Sequence, residues 1–152
     1  MRRFIPIALL LGLFVGVASL SAKDDQQPKY KTAEVKHFSM ADGVNVSQNV
    51  LNYAYDQLRE SLQKKQLFVA VVGDGGMVDD ADAADSVIVE CKVTYYRRLA
   101  ATGHVDITIF RRSDHTVLQH LTATVDTNGG TEKARGKQIG WPVADKINKV
   151  LK

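Results

Sequence analysis

From Val87 to Val125 apolar residues recur at every second position, and this alternation constrains the fold more than any other feature of the 152-residue chain. Val87, Val89, Cys91, Val93 and Tyr95 fall on one side of an extended chain, and Glu90, Lys92, Thr94 and Tyr96 on the other. Val105, Ile107 and Ile109 alternate in the same way with His104, Asp106 and Thr108, and Leu121, Ala123 and Val125 with His120, Thr122 and Thr124. A period of two turns one face into a core and the other toward water, which is the pattern of half-buried antiparallel strands. The inward residues are all odd-numbered, and cross-strand neighbours share a face. A three-residue loop at Ser113, Asp114 and His115 meets that condition. It pairs Ile109 with Gln119 and Ile107 with Leu121, and sets His120 opposite Thr108.

The remaining periodic segments frame these strands. Tyr30 to His37 predicts a first strand that Met40 to Gly43 interrupts. Val46, Val50, Leu51, Ala54, Leu58 and Leu62 recur at three- and four-residue spacing and predict an amphipathic helix, with Lys64 and Lys65 at its dipole-complementary end. Leu67 to Val72 is an all-apolar strand, and strand, helix and strand in that order predict a parallel crossover. Residues 73–85, rich in Gly and Asp, read as a solvated connector. The chain closes with Ile139, Val143, Ile147 and Val150 at helical spacing; Pro142 best fits the first turn of that helix, and a longer helix starting near Glu132 would be kinked there. The expected fold class is α+β, a single domain of order β-α-β-β-β-α, with a mixed, mostly antiparallel sheet and its helices packed on one face.

The amino terminus carries an address. Arg2 and Arg3 precede an apolar stretch from Phe4 to Leu20, and small residues lead to Ala22 before the chain turns polar. That order is the pattern of a secretory signal peptide over residues 1–22, followed by a flexible lead-in over 23–29 and the domain over 30–152. The apolar stretch is shorter than the roughly 20 residues of a spanning helix. The expected product is a soluble periplasmic or secreted domain with no membrane span after cleavage. Most of the formal charge of +3 belongs to Arg2 and Arg3, so the pI near 9.0 is no nucleic-acid signature. Arg97-Arg98 and Arg111-Arg112 flank opposite ends of one strand and form no common patch, which argues against a nucleic-acid partner. Cys91 is the single cysteine and points inward, so the core holds the fold without an internal disulfide.

Little in the chain points to catalysis. His104 and Asp106 share a face with His120, but in the predicted register His120 lies roughly 13 Å from His104. Zinc ligands must each sit about 2 Å from the ion. Asp74, Asp79, Asp80, Asp82 and Asp85 lack the Gly and closing Glu of a calcium loop. Gly73 to Gly76 and Gly136-Lys137 miss the remaining residues of phosphate-binding loops. No catalytic residue, metal or cofactor site is therefore expected. The even-numbered sheet face carries Thr94, Tyr96, Thr108, Phe110, Leu118, Thr122 and Thr124. It reads either as a solvated face of an antiparallel sheet or as the candidate docking face for an envelope protein or glycan, with Tyr96 and Phe110 as aromatic anchors. A small-ligand carrier or a hydrolase of unrecognised type are the alternatives to a non-catalytic binding or accessory module.

A signal peptide, the strand KYKTAEVKHF, a helix, a strand, ADSVIVECKV, the hairpin VDITIFRRSDHTVLQ and a final helix together resemble a bacterial family, the domain-of-unknown-function family 4410. The resemblance spans about residues 29–151. It implies a small exported envelope protein, often a lipoprotein, without catalytic residues. This chain lacks the lipid-bearing Cys at the end of the leader, which favours a free periplasmic or secreted form.

Export is checked by intact mass. Protein recovered from an envelope fraction should lack about 22 residues, as a cleaved signal peptide requires. A full-length cytoplasmic product would be incompatible with that leader.

Overall fold

The computed structural model describes residues 28–128 and 130–152; the predicted signal peptide and most of the lead-in lie outside them. Six strands and two α-helices follow in the order β1 (Tyr30–Val35), β2 (Ser39–Met40), α1 (Gln48–Lys64), β3 (Phe68–Val72), β4 (Ser86–Arg97), β5 (Thr102–Arg111), β6 (Val117–Asp126) and α2 (Glu132–Leu151). They form one mixed sheet of order β3-β1-β4-β5-β6, with β2 bonded to β4 beside β1. The α+β class and the helices on one face are as expected. The string β-α-β-β-β-α counts one strand fewer than the five long strands, of which Phe68–Val72 and Ser86–Arg97 flank β1, both parallel to it. The short β2 is a further addition, held by the Ala41 N–H donating to the Val93 carbonyl.

Period two built the inner face. Val87, Val89, Val93, Val105, Ile107 and Ile109 are fully buried, with Cys91, Ala123 and Val125 almost so. Burial pushes the Cys91 thiol far up, so it is a small inert core residue. Helix α1 covers this face with Val50, Leu51, Ala54, Leu58 and Leu62. Ser47 caps α1 by accepting from the Val50 N–H, and Val46 just before it is buried, as a hydrophobic staple requires.

Helix α2 starts ten residues before Pro142, at a Thr131 cap that accepts from the Ala134 N–H. Pro142 is inside the helix rather than in its first turn. A proline there supplies no N–H to the helical ladder, and the tertiary contact explains why the helix persists on both sides. Gly136 and Gly140 lie one turn apart on the side of α2 that meets α1. A Cβ at Gly136 would stand 2.3 Å from the Tyr53 Cβ, and one at Gly140 2.4 Å from the Ala54 carbonyl oxygen. Only glycines let the two backbones come this close. The stretch around Gly136-Lys137 therefore has a packing role. Glu132 adds a polar tie at the start of both helices: the Ser47 hydroxyl donates to one of its oxygens at 2.5 Å and the Asn49 amide to the other at 3.0 Å.

Gly140→Ala should lower stability by about 1–3 kcal/mol or more, because the new methyl meets backbone rather than a mobile side-chain end. Leu58→Ala and Ile107→Ala should each cost about 2–5 kcal/mol. Thr108→Ala, on the other face, should cost well under about 1 kcal/mol. Chemical denaturation of the four variants checks this, and equal losses at Ile107 and Thr108 would contradict the assignment of faces.

Candidate docking face

The sheet face opposite the helices has two halves with different chemistry. Over β1 and the neighbouring part of β4 it is covered by residues 73–85. These residues are not merely a solvated connector: Asp80–Asp85 form a 3-10 turn that packs on β1, β4 and β5, capped by Asp79 accepting from the Ala81 N–H. Beneath this segment lies Glu34, 3% exposed. Its carboxylate accepts from Lys36 at 2.6 Å, from the Gly75 N–H at 3.1 Å and from Arg112. Lys36 reaches Asp74 at 2.9 Å, and the Asp74 N–H donates to the Tyr55 hydroxyl at 2.9 Å. The His37 ring stacks on Tyr55 at 4.1 Å, and the Arg59 guanidinium lies over the Tyr55 ring at 5.4 Å from its centre. The hydrogen bond from Lys36 holds the Asp74 carboxyl below its ordinary value. A carboxylate is buried here only because cations and an N–H satisfy it, and the arrangement ties residues 73–75 to β1 and to the end of β5.

Over the remainder of β4 and β5 and over β6 no described residues cover the same face. Rows run across the three strands: Lys92, Asp106 and Thr122; then Glu90, Thr108 and His120. The Thr122 hydroxyl donates to Asp106 at 2.9 Å, and Thr108 and the His120 ring share a hydrogen bond at 3.2 Å. Ile109 pairs with Gln119 and Ile107 with Leu121, as predicted. The turn differs, however. The Arg111 N–H donates to the Thr116 carbonyl, so four residues, 112–115, make the connection and His115 takes a positive φ of 54°. A bulge between Ile109 and Phe110 restores the register. Four loop residues oppose partners of unlike parity, so one extra residue, Leu118, is needed before odd can meet odd.

The β4–β5 hairpin repeats this device with a larger consequence. Its turn is again four residues, 98–101, and Arg97 pairs with Thr102. The register shifts between Val93 and Tyr95, so that Tyr95, not Tyr96, stands opposite His104. The Tyr95 and His104 rings meet at 5.3 Å on the open face, and the Thr94 hydroxyl reaches the His104 carbonyl at 3.5 Å. Tyr96 pairs with the buried Gly103, packs against the core, and buries its hydroxyl oxygen. Of the predicted docking residues, the open face thus gathers Thr94, Thr108, Phe110, Thr122 and Thr124. Tyr96 and Leu118 are turned toward the helix side, and Val117 takes the place opposite Phe110. Tyr95, missed in the sequence, is the aromatic group that the face gains. The remaining described clefts are surface grooves, two of them beside the 98–101 turn and lined by Arg98 and Leu99. Among the described residues no three His, Cys, Asp or Glu side chains are grouped to hold a metal ion, and no helix is long and apolar enough to cross a membrane.

No protein-family model matches the chain, and no curated protein does. The resemblance to family 4410 is therefore not confirmed by a family match. Solved structures do share the fold. PelC from Paraburkholderia phytofirmans, crystallised as a dodecamer, superposes with a TM-score of 0.54 at 11% identity, over 76% of this chain and 88% of that one. Protein XCC0632 from Xanthomonas campestris, described as a DUF330 protein, superposes with a TM-score of 0.50 at 12% identity, over 84% and 86%. At such identities the likeness is one of fold.

Asp74 gives the segment over Glu34 a pH dependence. A carboxyl with a folded pKa below its ordinary 3.8 contributes stability that is fully present above that value and is lost as pH falls through the lower folded value. Denaturant midpoints should therefore decline as pH falls below 3.8, and Asp74→Asn should make the decline shallower. An unchanged acid limb in that variant would contradict the Lys36–Asp74 contact.

Proposed function

We propose that this protein is an exported module of the bacterial envelope that works by binding rather than by catalysis, through the open half of its outer sheet face. The observation that carries the reading is the contrast within that face. Residues 73–85 seal the part over β1 and the adjoining ends of β4 and β5, while among the described residues nothing covers the rest of the face over β4, β5 and β6. Its polar side chains are held in cross-strand hydrogen bonds, and the half-buried rings of Tyr95 and Phe110 lie toward its two ends. A rigid polar surface with a few aromatic groups suits a protein or glycan surface, where ordered polar side chains add little entropic cost on binding. The leader-like amino terminus supports an envelope setting, and the shared fold with PelC and the DUF330 protein is compatible with it.

The experiment replaces both aromatic groups. Tyr95→Ser with Phe110→Ser should weaken capture of the native partner from envelope extract by about tenfold or more, since aromatic side chains dominate interface energetics. The melting temperature should fall little in comparison with Ile107→Ala. Retention by a glycan array would identify the partner class as carbohydrate. Unchanged capture with an intact fold would remove the binding role from this face.

A further inference from the structure

The sheet ends on β6, and this edge is open in a way that the opposite edge is not. On the opposite side β3 has five residues, and the Gln63 side chain accepts from its Val71 N–H at 3.1 Å. Strand β6 has ten residues, Val117 to Asp126. Beyond it the Thr127 N–H donates to the Ala101 carbonyl. In an antiparallel ladder the paired groups alternate, so from residue 119 onward the odd-numbered residues bond β5. His120, Thr122, Thr124 and Asp126 turn their N–H and C=O groups outward. Edge strands are normally blunted by lysine, proline or inward charge. Between Gln119 and Val125 none of these occurs, and the bulge at Leu118 lies before that stretch. Leu121, which pairs with fully buried Ile107, is itself only half-buried, since among the described residues no strand bonds the far side of β6. Beside this edge, helix α2 presents Trp141, 58% exposed, in a groove with Thr122, Ala123 and Thr124 that also holds Asp145, Lys146 and Lys149 of the helix, Lys149 paired with Asp145 at 3.1 Å.

We infer that β6 is a self-association edge: two copies of this chain pair their β6 strands antiparallel about a two-fold axis at Thr122, with Trp141 of each copy covering the joint. The symmetry is chemically permitted. Centring the pair on Thr122 places His120 opposite Thr124, Leu121 opposite Ala123 and Gln119 opposite Val125, so that within the strand pair no like charges face each other. Every alternate backbone group of the edge gains a partner, and the apolar remainder of Leu121 and Trp141 leaves water. A second copy is favoured over head-to-tail stacking because the β3 edge that stacking requires is short and already occupied by Gln63. The pairing continues the sheet in its own plane, so it leaves the open docking face free and is independent of what that face binds.

The test is the mass of the purified chain by light scattering at successive dilutions, with hydrogen exchange read at individual amides. The expected result is a concentration-dependent dimer in which the outward-facing Thr122 and Thr124 amides are protected. Thr122→Lys and, separately, Trp141→Ser should each weaken the dimer by about tenfold or more and release those amides. Both residues are exposed, so melting temperatures should stay close to that of the parent, and Trp141→Ser serves if Thr122→Lys disturbs the strand. Val69→Lys, on the exposed side of β3, should leave the dimer intact. A monomer at every concentration, a dimer indifferent to both β6-side variants, or an assembly that Val69→Lys dissolves would each overturn the inference.

Discussion

The close crossing of α1 and α2 is the constraint on which the rest of the structure depends. Gly136 and Gly140 bring α2 against the backbone of α1 at Val50 and Ala54. Both helices can then lie on the same side of the sheet, where Leu58 and Leu62 from one and Ile139 and Ile147 from the other fill the space above the valines and isoleucines of β4 and β5. A wider crossing would leave voids, which a close-packed core of this kind does not tolerate. The same contact accounts for the course of α2 through Pro142. A helix whose buried stripe is anchored on both sides of a proline can forgo the N–H that the proline lacks.

With both helices committed to one face, the sheet must solve the other face by different means. Near β1 it uses residues 73–85 as a cover, tied down by the buried Glu34 carboxylate and its cations. Farther along it uses hydrophilic rows that water can wet. The division follows charge. Glu34 lies in the strand flanked on both sides by parallel neighbours, where it is sealed from solvent. Thr108, Thr122 and His120 lie where none of the described segments crosses above them.

Much of the architecture was legible in the residues. Alternation over Val87 to Val125 located three strands and their inward sides, and the pairings Ile107 with Leu121 and Ile109 with Gln119 follow from parity. The α1 stripe, from Val50 to Leu62, was equally clear. Parity does not run unbroken through the two hairpins. Both hairpins turn with four residues, and both correct the mismatch with a bulge, at Thr94 and at Leu118. For the candidate site this decides which tyrosine is outside. Tyr95-Tyr96 carries no local mark of the exchange, since either ring suits a strand. Only the position of the turn relative to Val93 and Val105 settles it.

The sequence by itself determined which segments extend, which coil, and which side of each is apolar, because those properties follow from periodicity within about ten neighbouring residues. It also determined that no disulfide holds the chain together, through its single cysteine. The tertiary structure alone decided the rest: that Gly136 and Gly140 serve a helix crossing, that Glu34 is buried under a distant loop with Arg112 as its counter-ion, and that β6 is left as an open edge. Each depends on residues far apart in the chain meeting at a distance of a few ångströms. Such encounters leave no periodic trace in either partner's own segment.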